Sequence, residues 1–252
     1  MILTEPNIQA TAKAKRPNYA ARLAQSADDV RRAQRLRFEV FNLELNEGLA
    51  ESHITGLDID LFDEICDHLV VKHVETGEVV GTYRLQAGER AAANIGYYSE
   101  REFDFSPYES LRGEMIELGR ACVHADHRNF SLLHLLWRGI ANYAREHNAG
   151  FLVGCSSLTS QNPAEGMAMY RALRGKFLVR PERRTEPHPA FRCDVDLAGS
   201  TGPPPKLMRA YLAIGAKICG PPAIDREFGT IDFLTLLDLH ALPAIVRAHF
   251  FG

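Results

Sequence analysis

One stretch of the 252-residue chain, from Glu114 to Tyr143, constrains the fold more than any other. It begins with a mostly apolar run at Met115–Val123, passes through a polar turn at 124–129 and continues in a helical pattern. One apolar stripe marks that helix: Leu133, Leu136, Trp137, Ile140 and Ala144. A strand that leads through a basic turn into a helix N-terminus favours anion binding, because free N–H groups and the helix dipole face the turn. The stretch therefore predicts a central strand with an adjacent phosphate site.

Composition excludes several classes of protein. Hydrophobic residues make up 46% of the chain and charged residues 24%, which is typical of a globular protein, and the net charge of −3 argues against general nucleic-acid binding. The five cysteines are odd in number and lack a CxxC pair, which predicts neither disulfides nor zinc. No signal peptide or membrane span is evident. We expect a cytoplasmic protein, with peripheral contact at the inner face of the membrane left open.

The order of elements predicts an α/β fold with a mixed central sheet flanked by helices. Apolar runs on either side of Thr76-Gly77 predict a β-hairpin, and Ser26 with Asp29 predicts a helix start. Alternation over Ala190–Leu197 predicts another strand. Residues 1–17 are polar and predict a flexible N-terminal arm, and residues 18–252 are expected to form a single domain.

Two charged residues in the apolar central strand, Glu117 and Arg120, are the first candidates for chemistry. A straight strand would place them on opposite faces, whereas a bulge at Gly119 would turn both toward one cleft. Glu117 could then accept a proton from an attacking amine, and Arg120 or Arg84 could orient a carbonyl or carboxylate. The alternative is a buried Glu117–Arg120 ion pair.

An acidic segment at 58–64 interleaves carboxylates with large apolar residues. Asp60 and Asp63 would suit a cationic acceptor, and a solvated acidic loop is the alternative. Arg37 falls on the apolar face of the preceding predicted helix, where a charge is costly unless paired. It is therefore either a structural ion-pair partner or an arginine that points into a functional cleft.

The spacing of these residues resembles a known signature. Arg37-x3-Phe41, Asp60-x2-Asp63, Arg84-Leu85 and Glu117-x2-Arg120 are similar to the acyl-homoserine-lactone autoinducer synthases, except that Glu47 stands where those enzymes place a tryptophan. The longer resemblance is to the L-ornithine Nα-acyltransferases and related N-acyl amino acid synthases of the GNAT superfamily. It covers roughly residues 20–251. It rests on these segments: FDEICDHLVV, GTYRL, ELGRACVH, LLWRGIANYA, GCSSL and GAKICGPPAIDREFGTIDFLTLLDL.

The resemblance implies a GNAT-like acyltransferase that transfers a 3-hydroxy fatty acyl group from acyl carrier protein to the α-amine of ornithine, giving lyso-ornithine lipid. It implies no metal and no cofactor apart from the donor's 4′-phosphopantetheine, whose phosphate would bind at 127–131. Ser131 and Leu133 occupy the glycine positions of that turn, which makes ordinary acetyl-CoA use doubtful. An acceptor such as glycine or glutamine, and a non-catalytic acyl-binding or lipid-binding domain, are the alternatives.

Site residues are assigned from the motifs and the resemblance together. The expected catalytic residues are Glu117, Arg120, Asp63 and Arg84. The expected acceptor-binding residues are Arg37, Phe41, Asp60, Asp225, Glu227 and Asp232. The expected donor-binding residues are Arg128, Asn129, Ser131, Trp137 and Arg138.

Overall fold

The computed structural model describes residues 18–195 and 201–250, so the arm predicted at 1–17 lies outside the described residues. The described chain forms an eight-stranded sheet: β1 Tyr19–Leu23, β2 Asp67–His73, β3 Val79–Ala87, β4 Met115–Val123, β5 Phe151–Leu158, β6 Lys217–Ile218, β7 Ala223–Asp225 and β8 Thr230–Asp238. The α-helices are α1 Ala27–Phe38, α2 Ser52–Thr55, α3 Gly88–Ala92, α4 Phe130–Glu146, α5 Pro163–Phe177, α6 Lys206–Ile214 and α7 Ala244–Phe250.

The sheet is mixed and splayed at its centre. Its strand order is β1-β2-β3-β4-β5-β8-β6, with β7 also paired to β8. Every neighbouring pair is antiparallel except β4 and β5, which run parallel. Those two strands pair only from Met115↔Phe151 to Glu117↔Val153. Beyond that point they leave the ladder, which opens a V-shaped gap in the middle of the sheet.

Helices cover both faces of the sheet, as predicted. On β2, Leu69 and Val71 join the core under α4, whereas Val70 joins the core under α1. This alternation follows from the two-residue period of a strand, which turns successive side chains to opposite faces. No helix in the part of the chain that the structure describes is both long and apolar enough to cross a membrane.

The start of α1 confirms the predicted cap, because Ser26 Oγ accepts a hydrogen bond from the Asp29 amide at 3.2 Å. The helix then widens into a π-helical segment, Glu39–Glu44. Segments of this kind recur at functional sites because they re-aim the side chains that follow. Here the segment brings Phe41 and Leu45 to the central gap.

The strand predicted at Ala190–Leu197 is wrong over the residues that the structure describes. A 3₁₀ turn occupies Pro189–Phe191, and a single bridge joins Arg192 to Ala223. Proline fixes φ and has no N–H to donate, so Pro189 favours the turn over a ladder. The alternation reflects burial of Cys193, which packs into the core without a strand around it.

The gap opens beside an unusually close backbone contact. A Cβ added to Gly154 would lie 2.2 Å from the carbonyl oxygen of Leu118 on β4. Only glycine allows β5 to approach β4 this closely at the start of the splay.

We expect Gly154→Ala to lower the free energy of unfolding by roughly 1–3 kcal/mol, because β4 and β5 must move apart. Gly175→Ala is the matched control: apart from its own helical turn, no atom of the described residues lies within 4 Å of its added Cβ, and Gly175 is in α5, where alanine is the better helix former. Urea unfolding of both variants tests the prediction, and equal stability of the two would contradict it.

Candidate active site

The gap between β4 and β5 holds a cavity of about 460 Å³, which we call the main cavity. Its walls come from β3, β4, β5, β8, the π-helical segment and the start of α6. Some of the site residues predicted from the sequence meet at this cavity. Six of the predicted site residues line the main cavity: Phe41, Arg84, Glu117, Arg120, Arg128 and Asp232.

Three arginines and three aspartates form a closed ring of alternating charge, which we call the charge ring, and two of them, Arg84 and Arg120, line the main cavity. Its members, each paired with the next, are Arg37, Asp58, Arg120, Asp60, Arg84 and Asp63. The nitrogen–oxygen distances of the six pairs run from 2.5 to 3.3 Å, and no side chain is more than 13% exposed. Of the two interpretations of Arg37, the structure therefore shows the ion pair.

The electrostatics of the charge ring follow from this pairing. Burial alone would raise the pKa of Asp63, but attraction to Arg37 and Arg84 outweighs it and holds that pKa well below its usual range. The pKa of Asp60 is lowered in the same way, with Arg84 and Arg120 opposing the effect of burial. These carboxylates are charged, and arginines balance them, so we do not expect them to hold a further cation.

Of the two arrangements that the sequence left open for Glu117 and Arg120, the strand register shows a bulge, directly after Gly119. Gly119 pairs with Arg84 and Cys122 pairs with Thr82, so Arg120 and its successor stand opposite a single residue of β3. Arg120 has a φ of 48°, a conformation that costs a non-glycine residue about 1–3 kcal/mol. Its guanidinium lies 4.8 Å from the ring centre of Tyr98 and 4.3 Å from that of Phe228. The bulge thus brings Arg120 to the same cavity as Glu117, and Arg120 pairs with the charge ring rather than with Glu117.

Glu117 is buried, and its carboxylate is already engaged. Oε2 accepts a hydrogen bond from the Tyr98 amide at 2.6 Å, and Oε1 accepts two from Ser99, from the amide at 2.8 Å and from the hydroxyl at 2.5 Å. Burial raises the pKa of Glu117, and the donors on Ser99 and Tyr98 oppose that shift. This geometry fixes the Tyr98–Ser99 turn against β4.

Two other carboxylates in the main cavity have fewer hydrogen-bond partners than Glu117. Glu47 is half-buried, and its Oε2 accepts one hydrogen bond from Thr159 at 2.9 Å. Burial raises its pKa to about 7, with Asp232 adding to the shift and Arg120 opposing it. The sequence singled out Glu47 only as a departure from the autoinducer synthases. That departure could have marked Glu47 as a functional residue, because it puts a carboxylate where the related enzymes have a large aromatic ring.

Asp232 lies on β8 beside Glu102 and Cys155. One ligand atom from each of the three lies within 4.8 Å of the others, which is the one metal-sized cluster among the described residues. Burial and the nearby Asp225 raise the pKa of Asp232 to about 6, and burial together with Asp232 raises that of Glu102 well above its usual value. Glu102 carries no sequence signal, since it lies in a loop-rich stretch far along the chain from β8.

The predicted donor-binding residues surround the turn before α4 and the helix itself. Arg128 lines the cavity and forms a bidentate ion pair with Glu44, in which both nitrogen–oxygen distances are 2.6 Å. Asn129 caps α4, its Oδ1 accepting from the Leu132 amide at 3.0 Å, and Ser131 is exposed in the first turn. Trp137 is buried and lines a separate apolar pocket of about 30 Å³, whereas Arg138 is exposed on α4.

Besides Arg37 and Asp60 of the charge ring, two further predicted acceptor residues, Asp225 and Glu227, are not among those that line the main cavity. Asp225 Oδ1 accepts hydrogen bonds from the amides of Glu227 and Phe228, both at 2.9 Å, and so shapes the turn between β7 and β8. The Glu227 carboxylate is on the surface, 3.0 Å from Arg101. Phe41 does reach the cavity, where it packs edge-on against Phe228.

We expect Asp63→Asn to lower the free energy of unfolding by about 3–5 kcal/mol, because it leaves Arg37 and Arg84 buried with a missing counter-charge. Asp28→Asn makes the same chemical change in an exposed pair with Arg32 and should leave stability nearly unchanged. Guanidinium unfolding of the two variants measures the difference. A loss for Asp63→Asn no greater than that for Asp28→Asn would show that the charge ring is not stabilising.

Comparison with known proteins agrees with this architecture. Residues 36–138 match the acetyltransferase (GNAT) domain family. The chain is 32% identical over 237 residues to the L-ornithine N(alpha)-acyltransferase of Rhodobacter capsulatus, covering 89% of this chain and 92% of that protein. It is 34% identical to the L-ornithine N(alpha)-acyltransferase of Brucella abortus, covering 88% and 85%.

Among solved structures, the fold is similar to FeeM, an N-acyl amino acid synthase from uncultured soil microbes. The TM-score is 0.55 at 12% identity, with 91% of this chain and 94% of FeeM covered. This likeness concerns the fold, and it agrees with the splayed mixed sheet. Taken with the sequence relatives, it shows that the chain has a GNAT fold and belongs to the L-ornithine Nα-acyltransferase family.

Proposed function

We propose that this protein transfers a 3-hydroxy fatty acyl group from acyl carrier protein to the α-amine of L-ornithine, forming lyso-ornithine lipid. The observation that carries the proposal is the similarity to curated ornithine acyltransferases along 89% of the chain. The cavity supports it, because unpaired carboxylates there suit an amine acceptor. In the reaction the amine nitrogen attacks the thioester carbon, the C–N bond forms and the C–S bond breaks.

The donor fits the α4 side of the cavity. The N-terminus of a 17-residue helix favours the phosphate of phosphopantetheine, and Arg128 supplies a cation beside it. The small apolar pocket at Trp137 shares Leu118 and Cys155 with the main cavity, but at about 30 Å³ it is too small for a fatty acyl chain, so the chain would lie in the main cavity instead. Arg138 lies on the exposed face of α4 and would meet the acidic carrier protein.

We assign the proton-accepting role to Glu47. The oxygens of Glu117 already accept three hydrogen bonds, whereas the Glu47 carboxylate has one hydrogen-bond partner among the described residues and a pKa near neutrality. The amine proton passes to Glu47 and then to the departing sulfur, so the products are an amide and a free thiol. Glu117 then acts as a positioning residue for the Tyr98–Ser99 turn, and Arg84 and Arg120 orient the substrate.

The first experiment is mass spectrometry after incubation of purified protein with 3-hydroxyacyl carrier protein and an equimolar mixture of amino acids. We expect acylornithine as the main product. A product from glycine or glutamine would overturn the acceptor and keep the reaction. An intact donor with no product would favour a non-catalytic acyl-binding domain.

We expect Glu47→Gln to lower kcat by roughly 10²–10⁴-fold, the usual contribution of a positioned base. In the wild type, kcat should rise with pH through about 7, because Glu47 accepts a proton only when it is ionised, and the variant should lose this dependence. Glu51→Gln, the same change at an exposed position nearby, is the control.

Glu117→Gln should lower the melting temperature along with the rate, because the new amide NH₂ would face a backbone N–H that now donates to a carboxylate. Thermal unfolding and steady-state kinetics on both variants separate the two roles. Loss of turnover in Glu117→Gln at unchanged stability, with Glu47→Gln still active, would make Glu117 the base instead.

A further inference from the structure

Glu102 and Asp232 form a pair of buried carboxylates, which we call the acidic pair. Glu102 is 1% exposed and Asp232 is 4% exposed. Asp232 Oδ1 accepts no hydrogen bond from the described residues, although it is buried and its side chain lines the main cavity. A buried carboxylate oxygen without a partner is costly, so this atom marks a place for a donor that arrives with a ligand.

The charges around the acidic pair are unbalanced. Within the described residues, no ion pair joins either carboxylate to a cation, and Asp225 and Glu117 add charge of the same sign. The two nearby arginines are engaged elsewhere, Arg101 with Glu227 and Arg120 with the charge ring. The contrast is sharp, because every carboxylate of the charge ring has arginine partners.

We propose that the acidic pair binds the side-chain ammonium of a basic amino-acid acceptor, which would make it the determinant of acceptor specificity. This inference rests on the proposed function. An ammonium can donate three hydrogen bonds, so it can satisfy Asp232 Oδ1 and balance the charge of the pair. Glu47 faces the same cavity as Asp232, so one diamino acid has a carboxylate for each of its two nitrogens.

The test compares L-ornithine with L-norvaline, which has the same five-carbon chain and lacks the terminal amine. For the wild type we expect kcat/KM to favour ornithine strongly. In Asp232→Asn that preference should fall by 10²-fold or more, the scale for losing one partner of a buried charge pair. The loss should appear in the KM for ornithine, while norvaline acylation is unchanged or faster. Glu102→Gln should act in the same direction, and Asp28→Asn should change nothing.

Calorimetric titration of each amino acid in the absence of the acyl donor measures its binding affinity, which does not depend on turnover. Binding of ornithine should weaken in both acidic-pair variants, with folding checked by circular dichroism. An unchanged ornithine-to-norvaline ratio in either folded variant would overturn the proposal. Wild-type activity that chelators remove and zinc restores would also overturn it, because the cluster with Cys155 would then hold a metal. If the wild type makes no acylornithine at all, the proposed function fails instead.

Discussion

The charge ring is the interaction on which the rest of the site depends. It joins α1, the segment at 58–63, β3 and β4, which are far apart in the chain. A single buried ion pair contributes little net stability, because desolvation offsets the attraction. A closed ring differs, since each charge has partners on two sides. It also holds Arg120 in a left-handed conformation that the backbone would not adopt unaided.

The bulge and the splay act together to make the cavity. Parallel pairing of β4 and β5 stops at Glu117 and Val153, and the bulge follows on β4 after Gly119. Two arginines of the charge ring, Arg84 and Arg120, line the cavity, whereas the three aspartates that balance them do not. Of the three carboxylates that line the cavity, Glu117 is held by the Tyr98–Ser99 turn, which leaves Glu47 and Asp232 to face a ligand without a neutralising arginine.

The sequence predicted the layered fold, the hairpin and the cap at Ser26, because each depends on local residue patterns. The bulge was one of two arrangements left open, and the residue in the left-handed conformation there is Arg120 rather than Gly119. The strand at Ala190–Leu197 failed because burial alone can produce alternation. The sequence singled out the aspartates at 58–64 but not the arginines that pair with them, since ion pairing between distant segments depends on distances in the folded protein. Glu102 was missed for the same reason: only the folded sheet brings it to Asp232.

The charge ring has a consequence for how the chain folds. Arg37 and Arg120 are separated by most of the N-terminal half of the chain, and both pair with Asp58. A partly folded form that buries some members without the others carries a desolvated, unbalanced charge, at a cost of several kcal/mol. Such forms are disfavoured, so docking of α1, the acidic segment and the bulged strand becomes a concerted step. A network that orders the native site thereby also removes half-assembled states from the folding route.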